Sequence, residues 1–163
     1  MKKLTVALSI VLVLMFATFA LGSGEDKSTD QGTGSADSTT AAANLGDYNV
    51  EIKSCRLAKD YEGKDVVIVK YVFSNVSDDE AAAFYTSVSA DVYQNGVGLN
   101  SAYILEDNAN YSADNQTKAI KKGATIEVEE AYELDDTTTA IEVEVSEWIS
   151  FNDTKITKTF TLN

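Results

Sequence analysis

From residue 47 onward the sequence predicts an all-β domain, an antiparallel β-sandwich of about seven to nine strands. Three observations carry this. Short runs rich in Val, Ile, Thr and aromatic residues place apolar side chains at alternate positions. Turn-forming pairs such as Asn95-Gly96 separate the runs. No stretch sustains an apolar repeat of helical period. Seven to nine strands in about 117 residues is the density of a two-sheet sandwich.

In order along the chain, Tyr48, Val50 and Ile52 alternate with polar residues and open the first strand. DVVIVKYVFSNVS follows, with Val66, Ile68 and Val72 on one face and Val67, Val69, Tyr71 and Phe73 on the other. Apolar residues on both faces predict a central strand. EAAAFYTSVS holds three alanines and is compatible with one helical turn before a strand through Val88, Ala90 and Val92 to Tyr93. VGLNSAYIL is shorter and less regular. TIEVEEAYEL and AIEVEVSEWI set Ile126, Val128, Ile141, Val143 and Val145 against Glu127, Glu129, Glu142 and Glu144, as half-buried antiparallel strands do. TKITKTFTLN closes the domain through Ile156, Phe160 and Leu162. With no proline to guard sheet edges, that task falls to charge and bulges, with Lys118, Lys121 and Lys122 as candidates.

The N-terminal residues read differently. Lys2 and Lys3 precede an apolar run from Leu4 to Leu21, then small residues, which is the layout of an export signal cut after Gly22. The alternative is an uncleaved anchor, since 18 residues at 1.5 Å each reach roughly 27 Å, only just enough to span a bilayer. Residues 1–22 are therefore read as an export signal or N-terminal anchor. Residues 23–46, dominated by Ser, Thr, Gly and Asp, are read as a disordered tether. Residues 47–163 are read as the β-sandwich domain. Ser23 carries no thiol to accept a lipid, and the single cysteine is Cys55.

Charge and composition exclude several functions. The chain has 13 basic and 26 acidic residues, for a net charge of −13. A field of that sign repels phosphate backbones and anionic lipid, so no nucleic acid is expected as partner, and membrane only through the N-terminal segment. One cysteine rules out an internal disulfide, and Cys55 reads as a buried small hydrophobe or, alternatively, a reactive or dimer-forming thiol. There is no histidine, so neither a histidine base nor a serine triad of the usual kind can form.

The candidate sites are few, and no cofactor is implied. LEDNANYSADNQTK offers Asp107, Asn108, Asn110 and Asp114 as oxygen ligands for a weak calcium site, though their spacing does not match a helix-flanked calcium loop and a solvated loop is the preferred reading. Glu127, Glu129, Glu142 and Glu144 fall on solvent faces, where a carboxylate pair for glycan chemistry competes with inert surface charge. Glu130 shares parity with Ile126 and Val128 and so predicts a bulge or a paired carboxylate. Trp148 has the parity of Glu144 and Ser146; it is either exposed on a binding surface or packed at the sandwich edge. Tyr93, Tyr103 and Tyr111 are candidates for the same recognition surface.

LAKDYEGKDVVIVKYVFSNVSDD, VYQNGVGL, IKKGATIEVEEAYELDD and IEVEVSEWISF together resemble the DUF5067 family, across roughly residues 47 to 162. The resemblance implies an exported bacterial domain of immunoglobulin-like β-sandwich fold, often part of a lipoprotein. It carries no catalytic residues. Lipoprotein members would have cysteine where this chain has Ser23. Taken together, these features predict an exported, non-enzymatic binding or accessory domain whose partner is a protein or a cell-wall glycan. A spacer without a ligand and a carboxylate-based glycan-active enzyme are the alternatives.

Overall fold

The computed structural model describes residues 36–37, 41–78, 81–105, 110–149 and 154–162. Among them nine strands form two antiparallel sheets, the layering of a β-sandwich. The four-stranded sheet has the order β2 (Ala42–Leu45), β3 (Tyr48–Lys59), β4 (Asp65–Asn75), β7 (Thr125–Glu133). The five-stranded sheet has the order β1 (Ala36–Asp37), β9 (Lys155–Phe160), β8 (Ile141–Glu147), β5 (Val88–Gln94), β6 (Val97–Gly98). A single helical turn, α1 (Phe84–Ser87), leads into β5.

The two-faced apolar strand is central, as its pattern predicts. β4 lies between β3 and β7, and its residues Val67, Val69, Tyr71 and Phe73 enter the core shared with Val92, Val143, Val145 and Ile156 of the other sheet. Its opposite face, through Val66 and Ile68, builds a second core with Ile104, Tyr111 and Ala131. That face needs a cover, and the chain after β6 supplies one. Residues 100–102 bond to the edge of β7 through Ala102 N to Ala131 O (2.8 Å) and Glu133 N to Asn100 O (2.8 Å), and the chain then crosses the outer surface.

The β7 edge is guarded by amides rather than by the lysines expected. Asn115 Nδ2 donates to Glu127 O at 2.9 Å and Gln116 Nε2 to Glu129 O at 2.6 Å. Lys118 holds Asn115 in place through its Oδ1 at 2.8 Å, and Lys122 pairs with Asp78. A primary amide satisfies an edge carbonyl directly, which an ammonium on a mobile stem does less specifically.

Pairing begins before Asp47. Residues 36–37 and 42–45, assigned to the tether by composition, are strands: β1 pairs with β9, and β2 forms a hairpin with β3. A hairpin partner satisfies the backbone whatever the side chains, and Leu45, only 2% exposed, anchors β2 in the core.

Lys158 points inward, and a bulge in β3 explains why. Register shifts between Ile52 and Ser54, so Lys53 is an extra residue that breaks the ladder. Lys158 Nζ donates to Ile52 O at 2.8 Å and to Lys53 O at 2.9 Å, and sits 4.9 Å from the centre of the Phe160 ring. Far from α1, buried Gln94 closes one end of the sandwich. Its amide donates to Asp136 O and Thr139 O and accepts from the backbone of Asp135 and Asp136.

Candidate functional site

The other end of the sandwich is open among the described residues. The β2–β3 turn, residues 76–78 and 81–87, and the end of β8 converge there. Gly46 has φ +72°, and a Cβ at that position would stand 3.3 Å from both carboxylate oxygens of Glu147. Glycine takes the left-handed turn without strain, and a side chain here would also have to push the Glu147 carboxylate aside. Val88 lies directly across from Glu147, which sets α1 against the same turn.

Asn75 fixes the connection. Its wholly buried side chain donates from Nδ2 to Ile120 O at 3.0 Å and accepts from the Ser77 N–H (3.0 Å) and hydroxyl (2.6 Å) at Oδ1. Val76 N donates to Asp47 O at 3.0 Å, and Ala82 bridges to Ile120. Between these fixed walls opens a polar cleft of about 600 Å³, lined by Asp47, Tyr48, Ser77, Asp78, Ala81, Ala82, Thr86 and Ser87.

Trp148 is tied by its backbone to Ser87, one of the residues lining the cleft. Its backbone N–H donates to Ser87 O at 3.0 Å, carrying the β5–β8 pairing one residue further, to the end of α1. Of its two sequence readings, exposure is what the structure shows. Trp148 is 61% exposed, Ile149 73% and Tyr85 62%. The sequence reading passed over Tyr85 and Ile149. Tyr85 falls on the outward side of α1, whose buried residues are Phe84 and Ser87, and Ile149 lies beyond the end of β8, where strand alternation no longer applies.

The other expected aromatics lie elsewhere. Tyr93 sits toward the far end of β5, about 17 Å along the strand from Val88, with its ring over Gly98. Tyr103 is exposed but meets Tyr61 edge-on at 6.1 Å. Tyr111, expected on a recognition surface, is instead buried in the second core, where its hydroxyl accepts from Gln116 at 3.2 Å. The chain that covers β4 needs an apolar side chain at that point.

Of the calcium candidates, Asp107 and Asn108 lie outside the described residues. Asn110 takes a positive φ of 51°, and Asp114 begins a 3-10 turn. No group of three or more His, Cys, Asp or Glu suited to a metal occurs among the described residues.

The acidic rows are engaged in structure. Glu127 accepts from Lys53 (2.6 Å) and Lys70 (3.4 Å), and Glu129 accepts twice from Arg56 (2.6 and 2.9 Å). The Lys53 hydrogen bond, then the charges of Lys70 and Lys53, hold Glu127 below the usual carboxylate range. Burial raises Glu129, but the Arg56 hydrogen bond and charge overcome it and hold it low. Neither is poised as a general acid. Burial pushes the Cys55 thiol up to about 11, which leaves it unreactive.

Glu130 turns inward, as its parity implies. Tyr132 Oη lies 2.7 Å from Glu130 Oε2 and 3.1 Å from Ala90 O. Burial raises the Glu130 carboxyl above its ordinary range, the Tyr132 hydrogen bond opposes that, and the Asp91 charge adds to it. The wholly buried Tyr71 hydroxyl interacts with the Tyr132 hydroxyl and with the Glu130 charge, but makes no hydrogen bond of good geometry among the described residues.

Comparison with known proteins accords with this architecture. A solved structure described as "a putative lipoprotein from Staphylococcus aureus subsp. aureus NCTC 8325" superposes with a TM-score of 0.58 at 18% identity, covering 78% of this chain and 92% of that one. That likeness is one of fold. No curated protein matches the chain. A family model described as a domain of unknown function, DUF5067, matches residues 23–147. The chain belongs to the DUF5067 family.

Proposed function

We propose that the protein is an exported, non-enzymatic binding or accessory domain that meets its ligand at the open end of the sandwich. The observation that carries this is the exposure of Tyr85, Trp148 and Ile149 beside a polar cleft with hydrogen-bonded walls. Large exposed apolar side chains are the usual anchors of an interface, and the cleft adds hydroxyls and carboxylates for specificity. The ligand is a protein or a cell-wall glycan.

Export is supported by the lysine-led apolar segment and by the lipoprotein description of the staphylococcal protein of similar fold. The domain then lies outside the cell, released or held by its N-terminal segment. An immunoglobulin-like relationship is supported by the chain passing from the edge of one sheet, at β1, to the edge of the other, at β2. The absence of histidine and the neutralising partners of Glu127 and Glu129 support a non-enzymatic role.

Trp148 is the sole tryptophan, so its emission reports this end alone. Titration with soluble cell-wall fragments should shift that emission, and Tyr85→Ala should weaken binding roughly tenfold or more. Unchanged emission, together with wall binding that Tyr85→Ala leaves intact, would refute the assignment.

A further inference from the structure

One row of paired residues crosses the five-stranded sheet from edge to edge. Ala36 lies across from Phe160, Phe160 from Ile141, Ile141 from Gln94, and Gln94 from Val97. Ala36 therefore stands level with Gln94, at the end of the sandwich that Gln94 closes. β9 runs from Lys155 toward this closed end, and β1 is antiparallel to it, so β1 runs away from the closed end. β2 runs the same way in the other sheet and turns back at Gly46, beside Glu147 at the open end. The chain that precedes Ala36 thus joins the domain at the end opposite the cleft.

Length and charge give this entry point a consequence. Ile141, in the row of Ala36, and Glu147, at the open end, are about 20 Å apart along β8. The apolar run read as an anchor ends at Leu21, and residues 22–35 can span at most about 50 Å. With that run in a bilayer, the closed end is held within this distance of the lipid, and the open end is not. To bring the cleft to the lipid the domain would have to turn over on its attachment. That movement would press a chain of net charge −13 against an anionic surface that repels it.

We infer that the N-terminal segment holds the domain by its closed end, so that the cleft and Trp148 face away from the bilayer and meet a partner carried by the cell wall. A partner embedded in the same bilayer is on the wrong side for this site. The inference rests on the reading of the open end as the binding site, and adds to it the direction from which the ligand comes.

The test uses the full chain, added from detergent to preformed vesicles of phosphatidylglycerol and phosphatidylethanolamine that carry a dansyl-labelled headgroup. Trp148, the sole tryptophan, is the energy donor at the open end. Tyr61→Trp combined with Trp148→Phe moves the only indole to the exposed β3–β4 turn at the closed end, where Leu134 N bonds to Asp65 O and Asp135 N to Gln94 Oε1. With about 20 Å or more between the two positions along the sandwich, the closed-end indole should lose at least about twice the fraction of emission that Trp148 loses. Equal losses, or a larger loss from Trp148, would overturn the inference. A full chain that stays in solution when the vesicles are sedimented would overturn it too, since nothing then holds the domain to a bilayer. Soluble cell-wall fragments should shift Trp148 emission at the same concentration for the vesicle-bound chain as for the chain in detergent. Binding about tenfold weaker on vesicles than in detergent would show the cleft turned toward the lipid; it would overturn this inference and leave the sandwich-end reading intact. Fragments that shift emission in neither state would overturn the sandwich-end reading and the wall partner with it, and the dansyl ordering alone would then decide how the domain is held.

Discussion

Replacing Glu130 with glutamine removes one titratable proton from the interior of the sandwich and leaves the shape of the side chain almost unchanged. Tyr132 has one hydroxyl hydrogen but faces two acceptors, Glu130 Oε2 at 2.7 Å and Ala90 O at 3.1 Å. The Tyr71 hydroxyl, which interacts with Tyr132, is a further donor at hand, so burial rather than the hydrogen count decides the charge state. If Glu130 is protonated, its O–H donates to Tyr132, Tyr132 donates to Ala90 O, and the chain closes. Burial favours that neutral form. The folded-state pKa is therefore raised above the ordinary 4.5, so the stability Glu130 contributes is fully present below pH 4.5 and is lost as pH rises through the folded pKa. One proton sets the slope at about 1.4 kcal/mol per pH unit inside that window, and zero outside it. Glutamine donates from Nε2 as the protonated acid does and does not titrate. Urea unfolding of both proteins from pH 4 to pH 8 gives the difference in stability at each pH. The carboxylates held low by cations, such as Glu127 and Glu129, titrate with the opposite sign, but they are common to both proteins and cancel in the difference. The Glu130 protein should lose ground to Glu130→Gln by up to about 1.4 kcal/mol per pH unit over part of the range. A flat difference, or one that grows in favour of Glu130 with rising pH, would refute the neutral-carboxyl reasoning.

Other expectations follow from single contacts. Lys158→Met keeps the stem but strips the donors from Ile52 O and Lys53 O, and should cost about 2–3 kcal/mol in chemical unfolding. Equal or greater stability would mean that desolvation of the ammonium outweighs its bonds. Asn75→Ala leaves Ile120 O and the Ser77 groups without their partner and should cost about 2–4 kcal/mol, read by thermal melting; a loss under about 0.5 kcal/mol would show that the connection holds itself. Gly46→Ala forces a positive φ on a side chain that meets Glu147, for about 1–2 kcal/mol in the same assay.

The parts of the fold that announce themselves in sequence are those where one side chain pattern answers one environment. β4 has apolar residues on both faces because it is covered on both, and β8 alternates because only its Ile141, Val143 and Val145 face is covered. The parts that stay hidden depend on backbone pairing or on a partner distant in sequence. β1 and β2 carry small and polar residues, and no composition reveals that β9 and β3 will satisfy their backbones. Lys158 falls at an inward position in the alternation of β9, but its acceptors exist only because β3 bulges more than a hundred residues earlier. At the candidate site, parity placed Trp148 outward, but nothing local to it indicates Ser87 as its neighbour or Asn75 as the residue that shapes the cleft. Tyr111 shows the converse. An amphipathic residue in a polar loop reads as exposed until the face it covers is known.

The central claim is that the open end of the sandwich serves binding rather than stability, and Trp148→Ala tests it most directly. With the indole 61% exposed, the variant should melt within about 0.5 kcal/mol of the parent while its binding to isolated bacterial cell walls, or to the partner captured there, falls tenfold or more. Unchanged binding would contradict the claim, and a loss of several kcal/mol in stability would show that the indole is part of the core instead.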